Sequence, residues 1–319
     1  MKHDIRITLM LVVFFLAAQY VGLFITQQYV TVEQTTDITT GRTSYNVTNV
    51  TDLPMGVERA DVSEDYSWLY IMVAIFVGTA LILLLARFKQ KKVWKFWYFI
   101  SLVFIMTFAL YPFLGTLPSI LLSVILATFK TYKQNFIIHN ITEIFLYGGL
   151  AALLVPIMNI FSAFVLLVII AIYDAIAVWK SKHMVTLAEF QSDSDVFAGL
   201  FIPYSAKHKK KPHRKSVPKR VSTAKRSSST ATSRIRRQSD SMERAILGGG
   251  DIAFPLIFAG TVMKTSGFTG AAIIPPFAAV GLFILLYKSK KGMFYPAMPF
   301  ISAGCIAGYV VLALLNLIL

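Results

Sequence analysis

The chain has 319 residues, 56% of them hydrophobic and only 15% charged, with a mean hydropathy of +0.64. Soluble domains lie at roughly 45–50% apolar and about 25% charged, so both departures point to an integral membrane protein and exclude wholesale disorder. The single cysteine, Cys305, excludes an intrachain disulfide framework. A net charge of +15 makes the placement of the 31 Lys and Arg the first question.

A helix needs about 20 apolar residues to cross the hydrocarbon core. On that rule an all-α, polytopic chain with nine transmembrane helices is predicted, at about 7–26, 68–86, 94–111, 113–129, 136–156, 158–180, 246–264, 268–287 and 294–318. Lys2, Arg6 and Ala17-Ala18 give the first span some features of a signal peptide. Its apolar run is longer than the roughly 7–15 residues of a signal peptide, so it counts as a retained helix. The organisation is therefore residues 1–180 with helices one to six, a hydrophilic loop at 181–245, and residues 246–319 with helices seven to nine.

Two hydrophilic stretches interrupt the apolar pattern. Residues 27–67 hold seven of the sixteen acids and two sequons, Asn46-Val47-Thr48 and Asn49-Val50-Thr51, which suits an extracytoplasmic loop. In the second, 181–201 reads as an interfacial helix. Residues 204–243, rich in Ser, Thr, Lys and Arg, read as disordered. With the N-terminus in the cytoplasm, Arg42, Arg59 and Lys264 fall outside and the other 28 Lys and Arg fall inside. That matches the positive-inside bias and predicts a cytoplasmic N-terminus and an extracytoplasmic C-terminus. The basic loop then rests on anionic lipid. No nucleic-acid partner is expected, because aromatic residues are not interleaved with the basic ones.

Ionisable residues within a span are rare and functional by default. Of the sixteen acids only Glu143, Asp174 and Asp251 fall within spans, and His139 is there as well. His139 and Glu143 are four residues apart on one helix face. They read as a hydrogen-bonded pair rather than a metal site, since no further His or Cys accompanies them. No metal or cofactor is expected. Asp174 lies about six residues before the cytoplasmic end of helix six, and Asp251 about five after the start of helix seven. At 1.5 Å per residue both stand roughly 7–9 Å deep. Antiparallel helices about 8–10 Å apart let two such carboxyl groups meet. Sharing one proton, they supply a general base for water and a general acid for a carbonyl.

The flanking residues suit that chemistry. Gly248-Gly249-Gly250 precedes Asp251 and clears side chains from beside the carboxylate. Pro296-Ala297-Met298-Pro299 opens helix nine at a similar depth. Tyr173-Asp174, Gly248-Gly249-Gly250-Asp251 and Pro296-Ala297-Met298, in that order and in helices six, seven and nine, resemble the presenilin and signal-peptide-peptidase family of intramembrane aspartyl proteases. The family motifs are Tyr-Asp, Gly-x-Gly-Asp and Pro-Ala-Leu, with Met298 here in place of Leu.

This resemblance implies a presenilin-like fold and an intramembrane aspartic-type endopeptidase with Asp174 and Asp251 as catalytic pair. It places Tyr173, Gly248, Gly249, Gly250, Pro296, Ala297 and Met298 in the substrate-binding set. The orientation above is that of the presenilin branch; the peptidase branch is inverted. The partners implied are transmembrane proteins or peptides as substrates and the bilayer itself, with homo-oligomers allowed. The competing reading is a proton-coupled transporter with Asp174 and Asp251 as relay carboxylates and Pro275-Pro276 in a gating helix.

Overall fold

The structure, a computed structural model, describes residues 5–36, 43–133, 135–179, 197–205, 242–289 and 295–318. Among these residues the chain forms nine helices: α1 (Ile5–Gln27), α2 (Ser67–Arg87), α3 (Lys91–Leu114), α4 (Thr116–Tyr132), α5 (Phe136–Leu154), α6 (Ile160–Trp179), α7 (Gly250–Ala271), α8 (Ile274–Lys288) and α9 (Met298–Ile318). Seven are long and apolar enough to cross a membrane. α4 and α8 are shorter apolar helices. At 1.5 Å per residue, α8 is only about 22 Å long.

The helices are apolar all round rather than along one stripe, as expected where lipid replaces water on the outer face. α7 is the most deeply buried span and packs against α1, α5, α6, α8 and α9. α2 is the most lipid-exposed and meets α6 and α3 along only part of its length. Side chains are absent where helix backbones come closest. A Cβ on Gly281 of α8 would lie 2.2 Å from the Phe300 carbonyl oxygen of α9. One on Gly304 of α9 would lie 2.3 Å from the Phe277 carbonyl oxygen of α8. Small residues at such crossings let transmembrane helices pack by van der Waals contact.

Two antiparallel hairpins complete the fold. β1 (Val30–Thr36) pairs with β2 (Thr43–Val50), with an irregularity between Thr31 and Val32. This hairpin leans on α7, where Gly267 has φ 65° and the Tyr45 ring lies 2.8 Å from the position of an added Cβ. Only glycine satisfies both the left-handed backbone and that contact. β3 (Gly199–Ser205) pairs with β4 (Met242–Gly248) and brings Gly199 opposite Gly248. At the opposite end of the helices, Lys264 Nζ reaches Glu64 Oε1 (2.9 Å) and the carbonyl oxygen of Met158 (2.7 Å). It thereby ties α7 to the end of α5 and the start of α2.

Several sequence boundaries need correction. Helix seven begins at Gly250, not 246, because 242–248 pair as a strand, and it continues to Ala271. Helix nine begins at Met298, not 294. The interfacial helix expected at 181–201 is not continued by Gly199–Phe201, which are strand. Its residues 181–196 lie outside the described residues, as do 206–241 of the basic loop. Pro275 and Pro276 occupy the first turn of α8, where a missing N–H breaks no helical bond, so they do not interrupt that helix as a gate would require. Lys130, assigned by sequence to a cytoplasmic loop, is buried in the last turn of α4.

Candidate active site

Asp174 lies in α6, five residues before its end at Trp179, and is buried. The first amides of a helix have no partner within it. Met298 opens α9, and its N–H donates to Asp174 Oδ2 at 3.0 Å. The Ala297 amide is a second backbone partner of the same carboxyl. Asp251 is the second residue of α7, half-buried, in the turn where a helix favours an acid. It bonds the Gly248 backbone and stands within electrostatic range of Asp174. The chain thus brings α6, the start of α7 and the start of α9 together at one place. The depth counted from sequence fits α6 for Asp174 but not α7 for Asp251. A strand, rather than a helical turn, leads into Asp251, and the β3–β4 hairpin ends at its side.

Pro255 adds a local reason for looseness in this turn. It has no N–H for the Asp251 carbonyl, four residues earlier. Gln19 of α1 donates through Nε2 to the next carbonyl, that of Ile252, at 2.8 Å and steadies the turn from outside.

The three glycines differ in their surroundings. A Cβ on Gly248 would meet Asp251 Oδ2 at 3.2 Å. One on Gly249 would meet the Tyr147 hydroxyl at 2.9 Å, and one on Gly250 would meet only the Phe254 ring, at 3.4 Å. Tyr173 is exposed beside Asp174, its ring edge-to-face with Phe76 of α2 at 5.8 Å. Pro296 is buried and Ala297 half-buried. Both precede α9 rather than lying inside it. The Met298 side chain is buried, so its contribution at the carboxylate is its backbone.

His139 and Glu143 share a helix face, as their spacing predicts, but Nε2 stands 3.9 Å from Oε1, beyond hydrogen-bond reach, so the expected bond between them is not formed. His139 Nε2 also contacts the Gly199 carbonyl at 2.8 Å. Among the described residues no three His, Cys, Asp or Glu side chains gather where a metal could sit. The sequence reading missed what surrounds Glu143: Lys130 of α4 and Tyr147 of α5 each hold one of its carboxylate oxygens. Two signals were present, an acid in an apolar helix and a tyrosine one turn further along that helix.

With this geometry in view, the family model for signal-peptide peptidase and presenilin aspartyl protease matches residues 56–318. The chain belongs to the signal-peptide peptidase and presenilin family of aspartyl proteases. This presenilin-family protein is accordingly an integral membrane aspartic-type endopeptidase of the intramembrane kind. A solved structure of a presenilin family intramembrane aspartate protease, in space group P2, superposes with a TM-score of 0.56 at 19% identity and covers 96% of each chain. A second, in space group C222, gives 0.59 at 17% identity and covers 97% of this chain and 99% of that one. At such identity the likeness is one of fold. No curated protein matches the chain.

Proposed function

We propose that this presenilin-family protease hydrolyses peptide bonds of transmembrane-helix substrates within the bilayer, with Asp174 and Asp251 as its general acid/base pair. The observation that carries the reading is the Met298 N–H on Asp174 Oδ2, with Asp251 in electrostatic range of the same carboxyl. The Met298 amide, and that of Ala297, leave Asp174 a fixed orientation. The carboxylate on α7 faces space cleared by Gly248.

Two close carboxyl groups in apolar surroundings hold one proton between them. The ionised member takes a proton from water while the water oxygen bonds to the scissile carbonyl carbon. The protonated member gives its proton to the carbonyl oxygen, forming a neutral gem-diol. Breakage of the C–N bond then sends one proton to the departing amine and returns one to the pair. The products are a carboxyl and an amine, and no other reactant is consumed. A helical carbonyl is bonded within its own helix, so a substrate must unwind locally before attack.

The test is a single-span reporter peptide incubated with the detergent-solubilised protein, with products read by mass spectrometry. Internal cleavage is expected, with a bell-shaped dependence of kcat/KM on pH. At low pH both carboxyls are protonated and no base remains. At high pH both are ionised and no acid remains. The two limbs belong to the pair, not to either residue. Uptake of a solute by proteoliposomes with no cleaved reporter would replace the protease reading with the transporter.

The Lys and Arg distribution supports a cytoplasmic N-terminus, an extracytoplasmic C-terminus and an extracytoplasmic β1–β2 hairpin. It also supports a basic 181–245 segment resting on anionic lipid at the cytoplasmic face. A cysteine introduced at Asn46 is expected to react with an impermeant reagent from outside, and one at Ser228 is not. The reverse pattern would give the inverted orientation.

A further inference from the structure

Among the described residues, a buried ion pair stands apart from Asp174 and Asp251. Lys130 of α4 and Glu143 of α5 are ion-paired with side chains 1% and 0% exposed. Such a pair is a weak source of stability, because desolvation of two charges offsets much of their attraction. Its connections point to a different role. One oxygen of Glu143 holds Lys130, and the other accepts the O–H of Tyr147, one turn along α5. The Tyr147 oxygen sits 2.9 Å from the position a Cβ on Gly249 would take, and the phenol group lies within electrostatic range of Asp251. His139, on the same face, contacts the carbonyl of Gly199, whose strand partner is Gly248. Asn140 fixes the next part of β3, exchanging two hydrogen bonds with the Phe201 backbone at 2.9 and 3.1 Å.

We infer that Glu143, as the acceptor of its O–H, positions the Tyr147 hydroxyl against Gly249 and so sets the placement of Asp251. Tyr147 has one proton and directs it to Glu143. The side turned to Gly249 is therefore a fixed oxygen wall, and any side chain at 249 would displace it. The triglycine stretch has no side chains of its own to lock it. α5 supplies the lock from outside, through Tyr147 at Gly249 and through His139 and Asn140 on the paired strand. Tyr147 and Glu143 are positioning residues, not catalytic ones, and Lys130 balances the buried Glu143 carboxyl. This inference rests on the proposed Asp174–Asp251 chemistry.

The experiment measures kcat and KM for reporter cleavage, with thermal unfolding of each purified variant in parallel. Asp174→Ala and Asp251→Ala serve as references for the chemistry itself. Tyr147→Phe keeps the ring and removes only the hydroxyl. Its kcat is expected to fall about ten-fold or more, as small misplacements of reacting groups do, with KM within about two-fold of the parent. Glu143→Gln alone leaves the Lys130 charge buried without its partner and can fail to fold. Two double variants avoid this. Lys130→Met with Glu143→Gln removes both charges but keeps an acceptor for Tyr147, and is expected to hold kcat within about three-fold. Lys130→Met with Glu143→Leu removes that acceptor and is expected to match Tyr147→Phe. Equal kcat for the two double variants, or a Tyr147→Phe loss that appears in KM, would overturn the positioning role. So would parental kcat in Tyr147→Phe while both Asp variants are inactive. Activity retained by the Asp variants would instead overturn the two-aspartate reading.

Discussion

Asn in place of either Asp174 or Asp251 is expected to reduce kcat by at least about 10³-fold while the protein still unfolds at its usual temperature. Asn is nearly isosteric with Asp, so packing at both positions is retained. At Asp174 the amide oxygen of Asn can still accept the Met298 N–H. What is lost is the capacity to take up and return a proton. Because the two groups act as one unit, the double variant is expected to be no slower than the worse single one. That non-additivity separates a shared-proton pair from two independent contributions. If each change removes a modest factor and the factors multiply, the two aspartates act separately and the pair is not the catalytic unit. Measurement by single-turnover cleavage, with thermal unfolding in parallel, distinguishes the cases.

How far the sequence could be read follows from the kind of signal each feature leaves. The helices were legible because a bilayer demands long apolar runs, and Ser67–Arg87 and Ile160–Trp179 fall within a residue or two of their expected limits. The aspartates were legible because charge inside such a run is rare and stands out. The strands were not. Ile246 and Leu247 are apolar and read as the start of helix seven, yet they pair with Phe201 and Leu200. Strand pairing depends on a partner more than 40 positions away, which hydropathy along one segment cannot register. Lys130 was hidden for the opposite reason. A lysine next to the end of an apolar run looks like a loop residue, and its burial becomes visible only when Glu143 on the next helix is placed beside it. Glu143 itself was noticed, but with His139 as its only companion, because residues on the same helix can be related by spacing alone.

The second large effect is expected at Gly248. The motif gives equal standing to Gly248 and Gly250, but their surroundings do not. Gly248 ends β4 without a left-handed backbone angle, so an L-residue there meets no backbone strain. Its missing side chain matters because a Cβ would lie 3.2 Å from Asp251 Oδ2. In Gly248→Leu the branched side chain covers the carboxylate where the attacking water must stand. The expected result is a fall in kcat of about 10²-fold with thermal stability close to the parent. Gly250 lies on the exposed side of the same turn, where an added Cβ meets only the Phe254 ring at 3.4 Å. Gly250→Leu therefore obstructs the approaching substrate backbone rather than the carboxylate, and its effect is expected mainly in KM. Met298→Leu is the comparison for both. It leaves the backbone N–H on Asp174 in place and exchanges one buried apolar side chain for another of similar volume, so the loss should stay below about three-fold. If Gly248→Leu instead lowers the unfolding temperature and leaves kcat intact in the folded fraction, Gly248 serves the β3–β4 pairing alone. The open face of Asp251 would then lie on another side of the carboxylate.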